Sequence, residues 1–223
     1  MSKRHKENSK LVDKEKKYTV EEAVQILKQS SKAKFDETVE VAINLNIDIK
    51  QSDQQVRGSF SFPKGVGRNV RVVAFADEKG AEEALKAGAV EAGGEELIQK
   101  IEDGWVDFDV VLAQPEMMKK IGKLGRVLGP KGLMPSPKSG TITQDIGKGV
   151  EEFSAGKTEF RNDRLGNIQI AAGKLSFEES DLCENIKAFY NHILSMRPSS
   201  VKGIYVKSVY VSSTMGPGIA IDI

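Results

Sequence analysis

The chain has 223 residues, a formal net charge of +1 and one cysteine, Cys183. That length buries a core without staples, a lone thiol excludes an internal disulfide, and a balanced total charge names no partner. No run approaches the ~20 apolar residues of a membrane span, and the charged start MSKRHKENSKLVDKEKK lacks the apolar core of a signal peptide, so a soluble, cytoplasmic protein is expected.

Thr19 and Glu22 have capping-box spacing ahead of VEEAVQILKQSS, in which Val20, Val24 and Leu27 share a helical face with Ala23 beside them. After the basic turn SKAKFD comes ETVEVAINLNID. Val39, Val41, Ile43, Leu45 and Ile47 alternate there with Thr38, Glu40, Ala42, Asn44 and Asn46, which predicts a strand with one wet face. VRGSFSF repeats the alternation through Val56, Gly58, Phe60 and Phe62, and Pro63, Gly65 and Gly67 then punctuate the chain.

The style changes beyond that point. VRVVAFA is a mostly apolar run, as in a strand covered on both faces. A helix-like EKGAEEALKAG, then AVEAG, then EELIQKIEDG, then FDVVLA follow, and such alternation predicts βαβ units on a parallel sheet. PEMMKKIGKLGRVLG reads as the next helix with Pro115 in its first turn, followed by the Gly/Pro/Lys-rich loop GPKGLMPSPKSGTIT. Alternation returns in KTEFRND and NIQIA, with NDRLGN between them as a hairpin turn. Ser176 and Glu179 form a second capping-box pair, opening a helix with Leu182, Ile186, Phe189 and Ile193 inward and ending before Pro198. KGIYVKSVYVSS and GIAIDI read as two strands around the TMGPG turn.

The two styles are reconciled by a discontinuous arrangement of class α/β. Residues 1–66 and 157–223 form one domain, an α/β sandwich with an antiparallel sheet built from both chain ends. Residues 67–156 form a βαβ domain inserted through the hinge Pro63–Gly67, with the return near Gly156.

Charge is segregated within the neutral total. Met117 to Gln144 holds no acid but carries Lys119, Lys120, Lys123, Arg126, Lys131 and Lys138, whereas acids outnumber bases from Asp77 to Glu116. Such a pattern steers a polyanion, or it is a solvated face. Enzyme chemistry finds little support. His5 and His192 stand in no recognisable catalytic motif of the sequence, Cys183 falls on the buried side of a helix, and a zinc site needs more Cys and His ligands than the chain holds. GRVLGPKG resembles a phosphate loop, but its glycines are too close together, Pro130 removes an N–H before Lys131, and no Ser or Thr follows that lysine. Asp107 and Asp109 read as solvated carboxylates at a strand edge. Most aromatics have inward registers. Phe35 sits in a turn among lysines, either as a surface contact or as an isolated exposed ring. SSTMGPG, Ser212 to Gly218, has no charge and no histidine and offers hydroxyls and an open Gly-Pro-Gly turn. On composition alone it is either a contact surface or a plain connection.

KFDETVEV, DQQVRGSFSFPKGVGR, DFDVVLAQPEMM, GKLGRVLGPKGLMPSPKSGT, GKTEFRND, KGIYVKSVYV and SSTMGPG together resemble the bacterial ribosomal protein L-one family, proteins of the mobile side stalk of the large subunit. The resemblance runs essentially end to end. It implies the two-domain fold above, with the inserted domain Rossmann-like but binding no dinucleotide, no cofactor and no metal. It implies a cytoplasmic, ribosome-bound protein, a monomer when free. Its partners would be large-subunit rRNA, exit-site tRNA whose release it aids, and its own operon mRNA, which it represses.

The same resemblance places an RNA surface on Lys34, Phe35, Glu37, Thr38, Arg161, Ser208, Thr214, Met215, Gly216, Pro217 and Gly218. Hydroxyls there would meet 2′-OH groups, Gly216 and Gly218 would admit the RNA backbone, and Lys34 and Arg161 would meet phosphate. Lys123, Arg126, Lys131 and Lys138 form a secondary basic loop in the inserted domain. Gln169 departs from the family, many of whose members carry histidine there, and the chain ends at Asp222-Ile223 without a further basic tail. The competing class is a nucleotide- or phosphate-dependent enzyme using the inserted domain, disfavoured by the incomplete phosphate loop.

Overall fold

The structure, a computed structural model, describes residues 3–13, 15–30, 33–51 and 53–223. Ser31 and Lys32, which open the basic turn before Phe35, lie outside the described residues. The chain divides into two compact units, Met1–Gly67 with Phe160–Ile223, and Arg68–Glu159. In chain order it opens with α1 (Lys3–Asn8), α2 (Val20–Ser30), β1 (Thr38–Leu45) and β2 (Arg57–Ser61). Next come β3 (Val72–Phe75), α3 (Glu78–Lys86), β4 (Glu91–Gly93), α4 (Glu95–Glu102), β5 (Val110–Ala113), the single-turn helices α5 (Met118–Ile121) and α6 (Gly125–Leu128), and α7 (Ile146–Ser154). The chain closes with β6 (Lys157–Arg161), β7 (Asn167–Lys174), α8 (Glu179–Ser195), β8 (Val206–Ser213) and β9 (Ile219–Ile221).

In the first unit, β7-β1-β8-β9 form an antiparallel sheet. One face is the core: Val39, Val41, Ile43 and Leu45 of β1 meet Ile168 and Ile170 of β7 and Val209 and Val211 of β8. The period-2 alternation of these strands therefore matches a sheet covered on one side. Helices α2 and α8 are the cover. Val20, Ala23, Val24 and Leu27 of α2 are buried, as are Leu182, Ile186, Phe189 and Ile193 of α8. The capping box at α2 forms in both directions, Thr19 N–H to Glu22 Oε2 at 3.1 Å and Glu22 N–H to Thr19 Oγ1 at 3.3 Å.

The inserted unit is a parallel sheet of order β4-β3-β5. All of β3 is buried, Val73 and Phe75 against α4 and the α5–α6 region, Val72 and Ala74 against α3 and α7. The fold class is α/β, a half-open antiparallel sheet and a covered parallel one, as the two strand styles predict.

Three local expectations are corrected. First, the turn at NDRLGN closes, with Asp163 N–H donating to Asn167 O at 2.8 Å, but β6 and β7 do not continue as a hairpin. β6 pairs with β2 and β7 with β1, because β7 carries the inward Ile168 and Ile170 that complete the main sheet. Second, Ser176 caps no helix. Its N–H and hydroxyl both donate to Asp36, at 3.2 and 2.7 Å, and α8 begins at Glu179 without a side-chain cap. Third, 115–128 is a chain of short turns rather than one helix. Gly122 and Gly125 weaken the helix, while Ile121, Leu124 and Leu128 are still buried. Beyond these, α7 is a helix in a stretch, 144–156, to which the sequence patterns assigned no element. Gly147 and Gly149 mask it, although Ile146, Val150 and Phe153 are buried at helical spacing and the Asp145 side chain caps Lys148 N.

Candidate nucleic-acid interface

The candidate surface is built where β1 begins and β8 ends. Val39 and Ser213 face each other in register, so the segments preceding β1 and following β8 leave the sheet side by side. Three hydrogen bonds join them at Thr38 and Thr214. Thr214 N–H donates to Thr38 O at 3.0 Å, Thr38 N–H to Thr214 Oγ1 at 3.0 Å, and the Thr214 hydroxyl to Thr38 O at 3.3 Å. A hydroxyl has two acceptor lone pairs, so Thr214, exposed, keeps one for a donor from outside. Thr38 Oγ1 accepts from Lys174 Nζ at 2.8 Å.

Beneath this pair lies Glu37, 2% exposed. Its Oε2 accepts from the Ser213 hydroxyl at 2.7 Å and from Met215 N–H at 3.0 Å. A buried carboxylate is tolerated only when hydrogen-bonded, and here its partners are the strand end and the turn. Asp36, one residue earlier, holds Ser176 as described above. The Asp36–Thr38 segment is thus tied on both sides, and it carries Lys34 and Phe35, the latter 55% exposed, out into solvent.

The turn itself divides its residues. Gly216 N–H donates to Ser213 O at 3.0 Å, and a Cβ on Gly216 would collide with the Ser213 hydroxyl, itself fixed by Glu37. Gly218 meets nothing: a Cβ there would stand in open space, and its φ is not positive. The fold gives no reason for glycine at 218. Pro217 is buried and stiffens the turn. Met215, 44% exposed, and Thr214 point no charge outward.

The predicted residues therefore fall at different places. Lys34, Phe35, Glu37, Thr38 and Thr214 to Gly218 converge on one corner. Ser208 faces Asn44, six residues along β1 from Thr38, roughly 20 Å away at strand rise. Arg161 ends β6 just before the turn that starts β7, whose Asn167 also faces Asn44. The side chains of Lys34 and Arg161 are exposed and make no hydrogen bond or ion pair among the described residues. Of the residues that support this corner, the sequence patterns single out Asp36 for its place beside Phe35 and Lys34, and Ser213 as part of SSTMGPG, but give neither a partner, and they pass over Lys174 altogether. Ser213 had a signal, a hydroxyl in the inward register of Val209 and Val211, which calls for a buried partner. Lys174 had none.

Lys123, Arg126, Lys131 and Lys138 are exposed in the inserted unit. Lys120 donates to Glu95 at 2.7 Å and, with a smaller contribution from Lys123, holds that carboxyl below its usual range. In GRVLGPKG, a Cβ on Gly129 would strike the carbonyl oxygen of Gly125, so that glycine serves a tight turn. Asp107 and Asp109 are paired with Arg71, and Asp109 also with Arg68 at 2.7 Å. Burial raises the Cys183 thiol above its usual value, against thiolate chemistry. No group of three His, Cys, Asp or Glu placed to hold a metal occurs among the described residues, and no helix among them is long and apolar enough to cross a membrane.

Residues 27–217 match the model of the family described as Ribosomal protein L1p/L10e family. The chain is 55% identical over 223 residues to the large ribosomal subunit protein uL1 of Fervidobacterium nodosum, covering 100% of this chain and 95% of that one. It is 51% identical over 222 residues to the protein of the same name from Thermosipho melanesiensis, covering 99% and 96%. With the protein of that name from Protochlamydia amoebophila it shares 51% over 222 residues, covering 100% and 94%. The Glu37-braced corner and the two-unit α/β fold thus stand in a chain that matches these proteins along nearly its whole length: it belongs to the ribosomal protein L1p/L10e family, whose members are structural proteins and not enzymes.

Proposed function

We propose that the chain grips large-subunit rRNA at the corner where β1 begins and β8 ends, and by that grip forms the mobile side stalk of the subunit. Family membership makes it a structural constituent of the large ribosomal subunit that binds rRNA. The observation that carries the site is the Glu37 carboxylate accepting from both Ser213 and Met215. A buried carboxylate spent on a surface turn fixes the shape of that turn in advance. Preorganisation of this kind lowers the ordering cost of binding.

The corner suits folded RNA, which is read by shape, 2′-hydroxyls and phosphates. Thr214 offers its remaining lone pair to a 2′-OH. Gly218 leaves room for a sugar–phosphate backbone. Phe35 and Met215 supply apolar contact, and Lys34 and Arg161 supply charge for phosphate. Glu37 acts as a positioning residue under the turn rather than at the RNA. Residues 1–66 and 157–223 are the rRNA-binding domain in this account, and residues 67–156 the inserted domain. The loop with Lys123, Arg126, Lys131 and Lys138 meets rRNA or tRNA more loosely, and the stalk aids release of exit-site tRNA. An mRNA that copies the rRNA fold would occupy the same corner, so the protein represses its own operon.

The test is binding to a stalk-length fragment of the chain's own large-subunit rRNA across a salt series, beside a scrambled RNA of equal length. Preference for the rRNA, with the salt slope falling by about one for Lys34→Ala and again for Arg161→Ala, is the expected result. Equal, steeply salt-dependent binding to both RNAs would leave only a basic surface. A reporter fused to the operon leader, repressed by wild-type protein but not by a corner variant, tests the mRNA reading.

A further inference from the structure

We infer that Tyr210 is the floor of a stacking subsite for one unpaired RNA base on the open face of the β7-β1-β8-β9 sheet. This rests on rRNA being the ligand of the Thr214 corner and extends that interface along β8.

In register, Tyr210 faces Ala42 on β1 and Ala220 on β9, and Ala42 faces Gln169 on β7. The ring is 45% exposed, and its hydroxyl makes no hydrogen bond among the described residues. Neighbouring strands lie about 4.8 Å apart, and alanine rises by a single methyl. The ring therefore stands over a low surface on both sides, with room for a second flat ring. Packing does not account for it. Cross-strand stabilisation of an aromatic needs an aromatic or β-branched partner, and both of its register partners are alanine.

The rows on either side say which part of RNA fits. Toward the Thr214 corner, Glu40 faces Ser212 and Ala171; away from it, Asn44 faces Ser208 and Asn167. These three rows contain no lysine or arginine. The exposed carboxylate of Glu40 repels phosphate, while amides and hydroxyls bond base edges and 2′-OH groups. Between the corner and the Asn44–Ser208 end, the face is chemistry for a base. Gln169 stands two strands from the ring, placed for the edge of a base lying over Ala42. Stacking on an aromatic ring is the sequence-tolerant way to hold such a base.

The experiment uses the full chain, the rRNA fragment, and the variants Tyr210→Phe and Tyr210→Leu. Tyr210→Phe should bind within about 2-fold of wild type and Tyr210→Leu about 5- to 150-fold more weakly, with an unchanged salt slope because no phosphate contact is lost. Abasic nucleotides placed one at a time through the unpaired positions should reveal one site. There wild type binds as weakly as Tyr210→Leu binds intact RNA, and the variant loses nothing more. The unfolding midpoints of both variants, measured alongside, should match wild type. Tyr210→Leu binding as tightly as wild type, or Tyr210→Phe falling as far as Tyr210→Leu, overturns the stacking subsite. Wild type failing to distinguish the rRNA from scrambled RNA overturns the reading of the corner itself, a separate outcome.

Discussion

Glu37 and Met215 stand 178 residues apart in the chain, and the carboxylate of the first accepts the backbone N–H of the second at 3.0 Å. The same oxygen accepts the Ser213 hydroxyl. Removing the carboxylate in Glu37→Ala leaves both donors unpaired in a buried place, at a cost of about 2–3 kcal/mol. Urea unfolding should show that loss. In the fraction that remains folded, rRNA affinity should fall by at least about 10-fold, since each 1.4 kcal/mol of lost preorganisation is tenfold. Unchanged affinity in a folded variant would remove Glu37 from the account.

Gly216 and Gly218 separate two reasons for glycine in one turn. Gly216→Ala forces its methyl into the Ser213 hydroxyl and should destabilise the protein by about 1–3 kcal/mol. Gly218→Ala enters open space and should change stability by less than about 0.5 kcal/mol. Thermal unfolding of the two variants checks both values.

Tyr205 is 3% exposed, and its hydroxyl has no hydrogen-bond partner among the described residues. Burial pushes its phenol up to about 12. An unsatisfied buried hydroxyl is a cost the fold carries, so Tyr205→Phe should raise stability by about 1 kcal/mol. Denaturant unfolding at constant slope measures it, and a destabilised variant would mean the hydroxyl is bonded after all.

His192 packs on Phe60 and Phe160, with ring centroids at 4.8 and 5.8 Å, and burial holds its pKa below the ordinary value. The folded state thus binds fewer protons at this group than the unfolded state. The stability it contributes is present above the unfolded pKa of about 6.5 and is lost as pH falls through the lower folded value. Unfolding midpoints should therefore decline from about pH 7 to about pH 5, and the part due to this group should vanish in His192→Phe. An identical decline in both proteins would contradict it.

Much of the fold was legible because its patterns have simple physical causes. The alternation of Val39 to Leu45 required one wet face, and the unbroken Val72–Phe75 run required two covered ones. The Thr19–Glu22 box announced α2. Where glycines interrupt the pattern, as at Gly122, Gly125, Gly147 and Gly149, propensity and packing disagree, and packing decides. Tertiary competition was invisible for the same reason. Ser176 looked like a cap, but Asp36, 140 residues away, takes its hydrogen bonds. At the corner, composition left Phe35 and SSTMGPG open between contact surface and plain turn, and the resemblance alone named them as an RNA surface. The support under them was not legible, because Glu37 reaches Ser213, and Lys174 reaches Thr38, only once the strands pair.

The most direct measurement is the affinity of Gly218→Ala for the stalk-length rRNA fragment, beside wild type and a scrambled RNA. The fold has no need of glycine at 218, so a loss there reads the approach of a ligand and little else. The account predicts at least about a 10-fold loss for the rRNA, unchanged weak binding to the scrambled RNA, and an unfolding midpoint equal to wild type. Wild-type affinity in Gly218→Ala would contradict close RNA approach at SSTMGPG, and with it the placement of the interface.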